Sequence, residues 1–248
     1  MTSEALEPAN GIVPGAMTRS AIVNADDFGQ SDGINRGIIE AYERGIVTSA
    51  SLMVRWHAAP AAAAYARAHP RLSVGLHVDL GEWVYRGGEW IPLYERVDRR
   101  DVRAVEAEIR AQLSLCRELL RRDPTHLDSH QHVHAEEPVR SILDGIAIEL
   151  GVPLRHRSTR LRHDGRFYGQ TGTGDPLTAG ISPAHLVEML RSLPEGVTEV
   201  SCHPGFAADL PSMYRAERRV ELDALCDPAV RLALEDEGIE LIGFANLR

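Results

Sequence analysis

The chain has 248 residues, 44% of them hydrophobic, and a net charge of −9 at pH 7. That is enough apolar material for one substantial core, and the acidic balance offers no basic footprint, so nucleic acid is excluded as a partner. Cys116, Cys202 and Cys226 lack C-x-x-C spacing, which argues against a disulfide framework or a cysteine zinc site and for a reducing, cytoplasmic setting. No run approaches the roughly 18 to 20 apolar residues of a membrane span.

The first 18 residues, "MTSEALEPANGIVPGAMT", lack the basic and apolar stretches of a signal peptide and read as a loose tail, with Met17 an alternative start. A domain over 19–248 follows. Short β-like runs then alternate with helical ones, the pattern of βα units around a parallel sheet. Strands are predicted at 20–25, 47–54, 72–78, 125–130, 152–156, 198–203 and 239–244. Helices are predicted at 32–44, 58–68, 101–122, 136–150, 183–193, 213–225 and 228–237. The helix at 101–122 is the clearest: Val102, Val105, Ile109, Leu113, Cys116 and Leu120 repeat at steps of three and four. Seven strands make the fold α/β, either a barrel or a large doubly wound sheet. The connections 79–100 and 157–182 are long enough to expect function or mobility there, and "YRGGEW" reads as a hairpin turn.

Sites on such folds gather at the carboxyl ends of the strands. Those ends hold Asp26 and Asp27, His77 and Asp79, His130, and His203. In "IVNADDFG" a sharp turn at Gly29 would bring both aspartates to one place, where one ligates a divalent cation and the other stays free as a base. Helix capping explains the pair as well. His77 would point inward above Gly75, which leaves room for a ligand or metal; a hydrogen-bonded structural histidine is the plainer reading.

"THLDSHQHVH" places His126, Asp128, His130, His132 and His134 on every second residue. Extended, that row spans about 26 Å, whereas metal–nitrogen bonds are about 2 Å, so at most one or two members reach one ion. His130, at the strand end, is best placed. Asp128 and His126 would support it from below, and His132 and His134 would continue into a loop at the pocket rim. The alternative is an exposed histidine turn with no fixed metal. His203, in "VSCHPGF", suits a proton donor, and strand alternation puts Cys202 on the opposite face. Trp83 and Trp90, with Tyr85 and Tyr94, fit the face of a sugar or ordinary hairpin packing equally. Neither a P-loop nor a G-x-S-x-G motif is present.

"VNADDFG", "GLHVDL", "THLDSHQHVH" and "SCHPGF", in that order, resemble the YdjC-like carbohydrate deacetylases, a family that includes chitooligosaccharide deacetylase. The likeness runs from about residue 20 to the end and implies a single-domain, distorted TIM-like (β/α) barrel that removes acetyl groups from N-acetylated sugars. By that resemblance Asp27, His77 and His130 are metal ligands, Asp26 is the general base and His203 the acid. It implies Mg2+, although two imidazoles and a carboxylate also accept Zn2+, Co2+ or Mn2+. A small carbohydrate is the implied partner, and relatives suggest a homodimer. The competing readings are hydrolysis of another amide or an ester on the same barrel, and a sugar-binding protein without turnover; the latter has no need of both a base and an acid.

Overall fold

The computed structural model describes residues 18–247. The expected tail, Thr18 apart, and Met17 lie outside them. In chain order the elements are β1 (Arg19–Phe28), α1 (Asp32–Arg44), β2 (Ser49–Leu52), α2 (Ala59–Ala68), β3 (Ser73–Val78), β4 (Gly81–Arg86), β5 (Glu89–Glu95) and α3 (Val102–Leu120). There follow β6 (Leu127–Ser129), α4 (Val139–Leu150), β7 (Arg162–Asp164), α5 (Pro183–Arg191), β8 (Gly196–Cys202), α6 (Ala216–Leu225), α7 (Pro228–Asp236) and β9 (Glu240–Leu241).

Seven of these strands form one parallel sheet in the order β6-β3-β2-β1-β8-β7, with β9 also paired to β1. β1 is its centre: Ala21, Ile22 and Val23 are all fully buried, so the strand reads as a continuous apolar run rather than an alternating one. The ladder stops at β6 on one side and β7 on the other, which leaves a curled, barrel-like sheet open between them. β4 and β5 form a separate antiparallel hairpin. Its turn is Gly87–Gly88, both at positive φ (63° and 92°), as a two-residue turn requires.

Ser31, Asp101, Ser182 and Asp227 cap α1, α3, α5 and α7 by accepting backbone N–H bonds with their side chains. The predicted stripe on α3 is buried from Val105 to Leu120, but Val102, the first helical residue, is 53% exposed. The expected strand at 152–156 is reduced to one bridge, Leu127 to Leu154. Pro153 has no N–H for a ladder, and His156 turns left-handed at φ 64°, which ends the extension. The missing sheet neighbour is β7, inside the connection expected to be irregular; "RHD" carries no apolar or β-branched signal. Among the described residues no helix is long and apolar enough to cross a membrane.

One close approach fixes the loop after β8. A Cβ on Gly37 of α1 would sit 2.4 Å from the Cα of Gly205, so only glycine lets the helix and loop touch. Gly205 N–H also bonds Arg218 O at 3.1 Å and Phe206 N–H bonds Gly33 O at 3.1 Å. The loop carrying His203 is thus clamped between α1 and α6.

Candidate active site

The carboxyl ends of β1, β3, β6 and β8 converge on a cavity of about 590 Å³. Asp26, Asp27, His77, His130 and His203 all line it. Both aspartates face the site because of a bulge: Ala25 pairs with Ala50 and Phe28 with Leu52, so β1 spends one more residue than β2 over that stretch. Asp27 takes a left-handed φ of 70° within the bulge, a conformation rare for a residue with a Cβ and typical of functional sites. Gly29 turns the chain afterwards; the bulge, and not Gly29, redirects the carboxylates.

Asp27 Oδ1 lies 3.3 Å from His77 Nε2 and 3.0 Å from His130 Nδ1. Its other oxygen accepts from Arg218 Nη2 at 2.6 Å, which leaves Oδ1 to face the two rings. The donor atoms of Asp27, His77 and His130 lie within 4.8 Å of one another. His77 Nδ1 donates to Asp128 Oδ1 at 2.8 Å, a carboxylate that fixes the ring so that Nε2 faces the site, as in histidines that bind metal. Unless it carries a second proton, that Nε2 turns a lone pair on a carboxylate oxygen. Burial opposes such a proton, yet Asp128, with Asp26 and Asp27, raises the ring's pKa to about 10: the surroundings demand positive charge at this point. His130 is raised well above its usual value, against burial, by Asp27 and Glu82, and its buried Nε2 has no hydrogen-bond partner among the described residues.

The charge count agrees. Among the described residues Asp26, Asp27, Asp128, Glu82, Glu199 and Glu221 are buried around two buried arginines, Arg155 and Arg218. Excess buried negative charge is costly without a compensating cation. One carboxylate, two imidazoles and a surplus of negative charge therefore fit a divalent ion. Asp128→Asn keeps an acceptor for His77 but removes its charge; metal affinity measured by equilibrium dialysis is expected to fall roughly 10- to 100-fold, and an unchanged affinity would deny Asp128 this role.

Asp26 is held differently. Arg155 grips it with Nη1 to Oδ2 at 2.7 Å and Nη2 to Oδ1 at 2.8 Å. Burial would raise its pKa, but the guanidinium reverses that and brings it down to about 2. Asn24 Nδ2 also donates to Asp26 Oδ1 at 2.8 Å, and His203 Nε2 stands 3.8 Å from Asp26 Oδ2, too far for a hydrogen bond, so the two groups line the cavity without bonding each other. Behind His203, Glu221 accepts its backbone N–H and the Tyr214 hydroxyl, and lies 3.7 Å from Nδ1.

The histidine row comes apart. Asp128 supports His77 rather than His130. His126 does not support His130 either: it stacks on Phe244 at 3.8 Å and its Nε2 meets Ser51 Oγ at 3.0 Å. Its ring fills the space expected to be open under His77, because a Cβ on Gly75 would lie 2.5 Å from His126 Nε2. Gly75→Ala is accordingly expected to cost about 1–3 kcal/mol by overpacking, read from urea unfolding; wild-type stability would mean the ring can move away. His132 lines the cavity, whereas His134, expected at the rim, is fully buried behind it because Ser129 accepts its backbone N–H at 2.9 Å. Asp79 is structural, accepting from Trp56, Tyr94 and Arg96.

Trp83 and Trp90 both line the cavity. Gln131 ties the hairpin to the histidine loop by bonding both backbone groups of Trp83, at 2.9 and 2.8 Å. Tyr168 and Tyr214, stacked at 4.7 Å, extend the aromatic wall. Sequence reasoning did not single out these two, nor Arg155, Arg218, Glu82 or Glu221. Arg155 stands at the end of a predicted strand, where the strand-end rule would have found it; Arg218 carries no such signal.

A family profile described as YdjC-like protein matches residues 20–236. A chitooligosaccharide deacetylase of Serratia marcescens is 34% identical over 93% of this chain and 100% of its own length. A carbohydrate deacetylase of Geobacillus stearothermophilus is 34% identical over 92% of this chain and 98% of its own. Among solved structures, an Enterococcus faecalis V583 protein assigned to cellobiose-phosphate cleavage superposes with a TM-score of 0.75 at 26% identity, covering 93% and 99% of the two chains. A family 4 carbohydrate esterase from Streptomyces lividans, at 11% identity and a TM-score of 0.51 over 91% and 93%, shares the fold.

Proposed function

Because the chain belongs to the YdjC-like protein family, we propose that it is a metal-dependent carbohydrate deacetylase, which hydrolyses the acetamido group of an N-acetylated sugar or short oligosaccharide to acetate and a free amine. The observation that carries this reading is the grouping of Asp27, His77 and His130 beside a second carboxylate, Asp26, and an imidazole, His203, on one cavity wall. Asp27, His77 and His130 would hold the ion. Bound there, a divalent cation supplies positive charge that acidifies an adjacent water and polarises the amide oxygen.

Asp26 is the proton acceptor. With a pKa near 2 it is ionised at every working pH, and Arg155 keeps its carboxylate aimed at the cavity. So acidic a group is a weak base, which is why the water it deprotonates must itself be made acidic. His203 delivers a proton to the departing nitrogen from Nε2, the ring atom that faces the cavity, while Glu221 anchors the residue from behind. Water adds to the acetyl carbon, the C–N bond breaks, and the two proton transfers leave acetate and amine with no covalent enzyme intermediate.

Trp83, Trp90, Tyr168 and Tyr214 suit the apolar face of a sugar ring. Trp90 is 49% exposed, so Trp90→Ala leaves the fold intact and is expected to raise KM several-fold with kcat nearly unchanged; an unaltered KM would return the ring to plain hairpin packing. Magnesium is the ion the resemblance implies, whereas two imidazoles favour zinc, cobalt or manganese; reconstitution of stripped protein with each decides between them. The substrate class is tested by release of acetate from N-acetylglucosamine and its β-1,4 oligomers alongside simple acetamides and esters. Turnover confined to the non-sugars would overturn the carbohydrate assignment.

A further inference from the structure

Four imidazoles that the mechanism does not use cluster beside the cavity. His132 and His134 come from the turn after β6, His156 from the connection into β7, and His163 from β7 itself. His134 Nδ1 lies 2.7 Å from Ser129 Oγ, and its Nε2 faces His156 Nδ1 at 3.1 Å. His156 Nε2 meets His163 Nδ1 at 2.9 Å, and His163 Nε2 meets Ser201 Oγ at 3.1 Å. The His132 ring stands edge-on to His134 and His156, with centroids 5.7 and 5.2 Å away. It makes no hydrogen bond among the described residues. One ligand atom from each of His132, His134 and His156 lies within 4.8 Å of the others.

We propose that His132, His134 and His156 form a second metal site, of the three-imidazole zinc type, on the wall of the cavity and separate from Asp27, His77 and His130. Two nitrogens bound to one tetrahedral zinc at about 2.0–2.1 Å stand roughly 3.3 Å apart, close to the 3.1 Å between His134 and His156. Each of these rings has its far nitrogen held: His134 can donate to Ser129, and His156 can donate to His163, which in turn donates to Ser201. That outer ring of partners sets the tautomers of metal-binding histidines; with Ser129 accepting, two lone pairs face each other, whereas with Ser129 donating, His134 Nε2–H bonds His156 Nδ1. Either one proton or one cation lies between them. A shared proton would need only two rings; the third, His132, converges on the same place without a partner. Imidazoles with no oxygen donor select a borderline transition ion over magnesium or calcium. His132 also lines the cavity, so the ion borders the space that substrate enters.

The test uses tag-free, full-length protein stripped of metal and dialysed against micromolar free Zn2+ alone, with bound zinc counted. Wild type is expected to hold two equivalents. His156→Gln and His132→Gln, both at exposed positions that leave the fold intact, are each expected to hold one, as is Asp27→Asn, and the Asp27→Asn/His156→Gln double variant none. Cobalt added in place of zinc is expected to give a d–d absorption band in Asp27→Asn that the double variant lacks. One equivalent in wild type that His156→Gln retains, or two equivalents in both, would overturn the proposal and leave these rings as a hydrogen-bonded wall.

Discussion

Asp26→Asn is expected to lower kcat by about 10²–10⁴-fold, the range general acid–base groups supply, while metal content stays at the wild-type level. The change removes the proton acceptor and little else. Asp26 lies close to His77 and Asp128 but is not one of the Asp27, His77, His130 group, and asparagine has the same shape. Its amide places an N–H where Arg155 expects an oxygen, but the guanidinium retains Asp128 Oδ2 at 2.8 Å and Glu199 Oε1 at 2.7 Å, so the fold survives. His130→Ala is the matching control and should lose metal and activity together. Equal metal loss in Asp26→Asn and Asp27→Asn would show that the roles of the two aspartates are wrongly divided.

Arg155→Met is expected to destabilise the protein by about 3–5 kcal/mol, the cost of leaving buried charge unpaired. One guanidinium serves Asp26, Asp128 and Glu199 at once. Glu199 shows how near the balance lies: burial pushes it up to about 7 even with Arg155 beside it. Asp26, at about 2 and below its ordinary 3.8, contributes stability that is present above pH 3.8 and is lost as pH falls through 2. Without Arg155 the sign reverses for the carboxyls that lose their main partner. Burial then raises Asp26 and Glu199 above their unfolded values, while Asp128 keeps His77, and the variant gains stability as pH falls through the raised values. The Tm difference between wild type and variant should therefore be larger at pH 8 than at pH 4; a difference independent of pH would mean that lost packing, not charge, is responsible.

Much of this site was legible because strand ends can be located from sequence. The runs before Asp26, His77 and His203 are short and apolar enough to mark as strands, the polar run before His130 is marked by its alternation, and one geometric rule then brings their ends together. Sequence could not reveal the bulge at Asp26 and Asp27, because it arises from pairing with β2. His126 looked like part of a row, but its ring is spent filling the gap at Gly75, a packing fact between two strands. Arg218 reaches Asp27 from α6 across 191 residues of chain, and nothing in "AERRVELDAL" distinguishes it from the solvated arginine beside it. The polar strand β7 was invisible because its neighbours, not its composition, make it a strand.

The central claim is tested most directly by measuring acetate and free amine together, from a short N-acetylglucosamine oligomer, with chelator-treated protein before and after a divalent ion is restored. The account predicts almost no product before, and equal amounts of acetate and amine after. Equal turnover with and without the ion, or no acetate in either state, would contradict it.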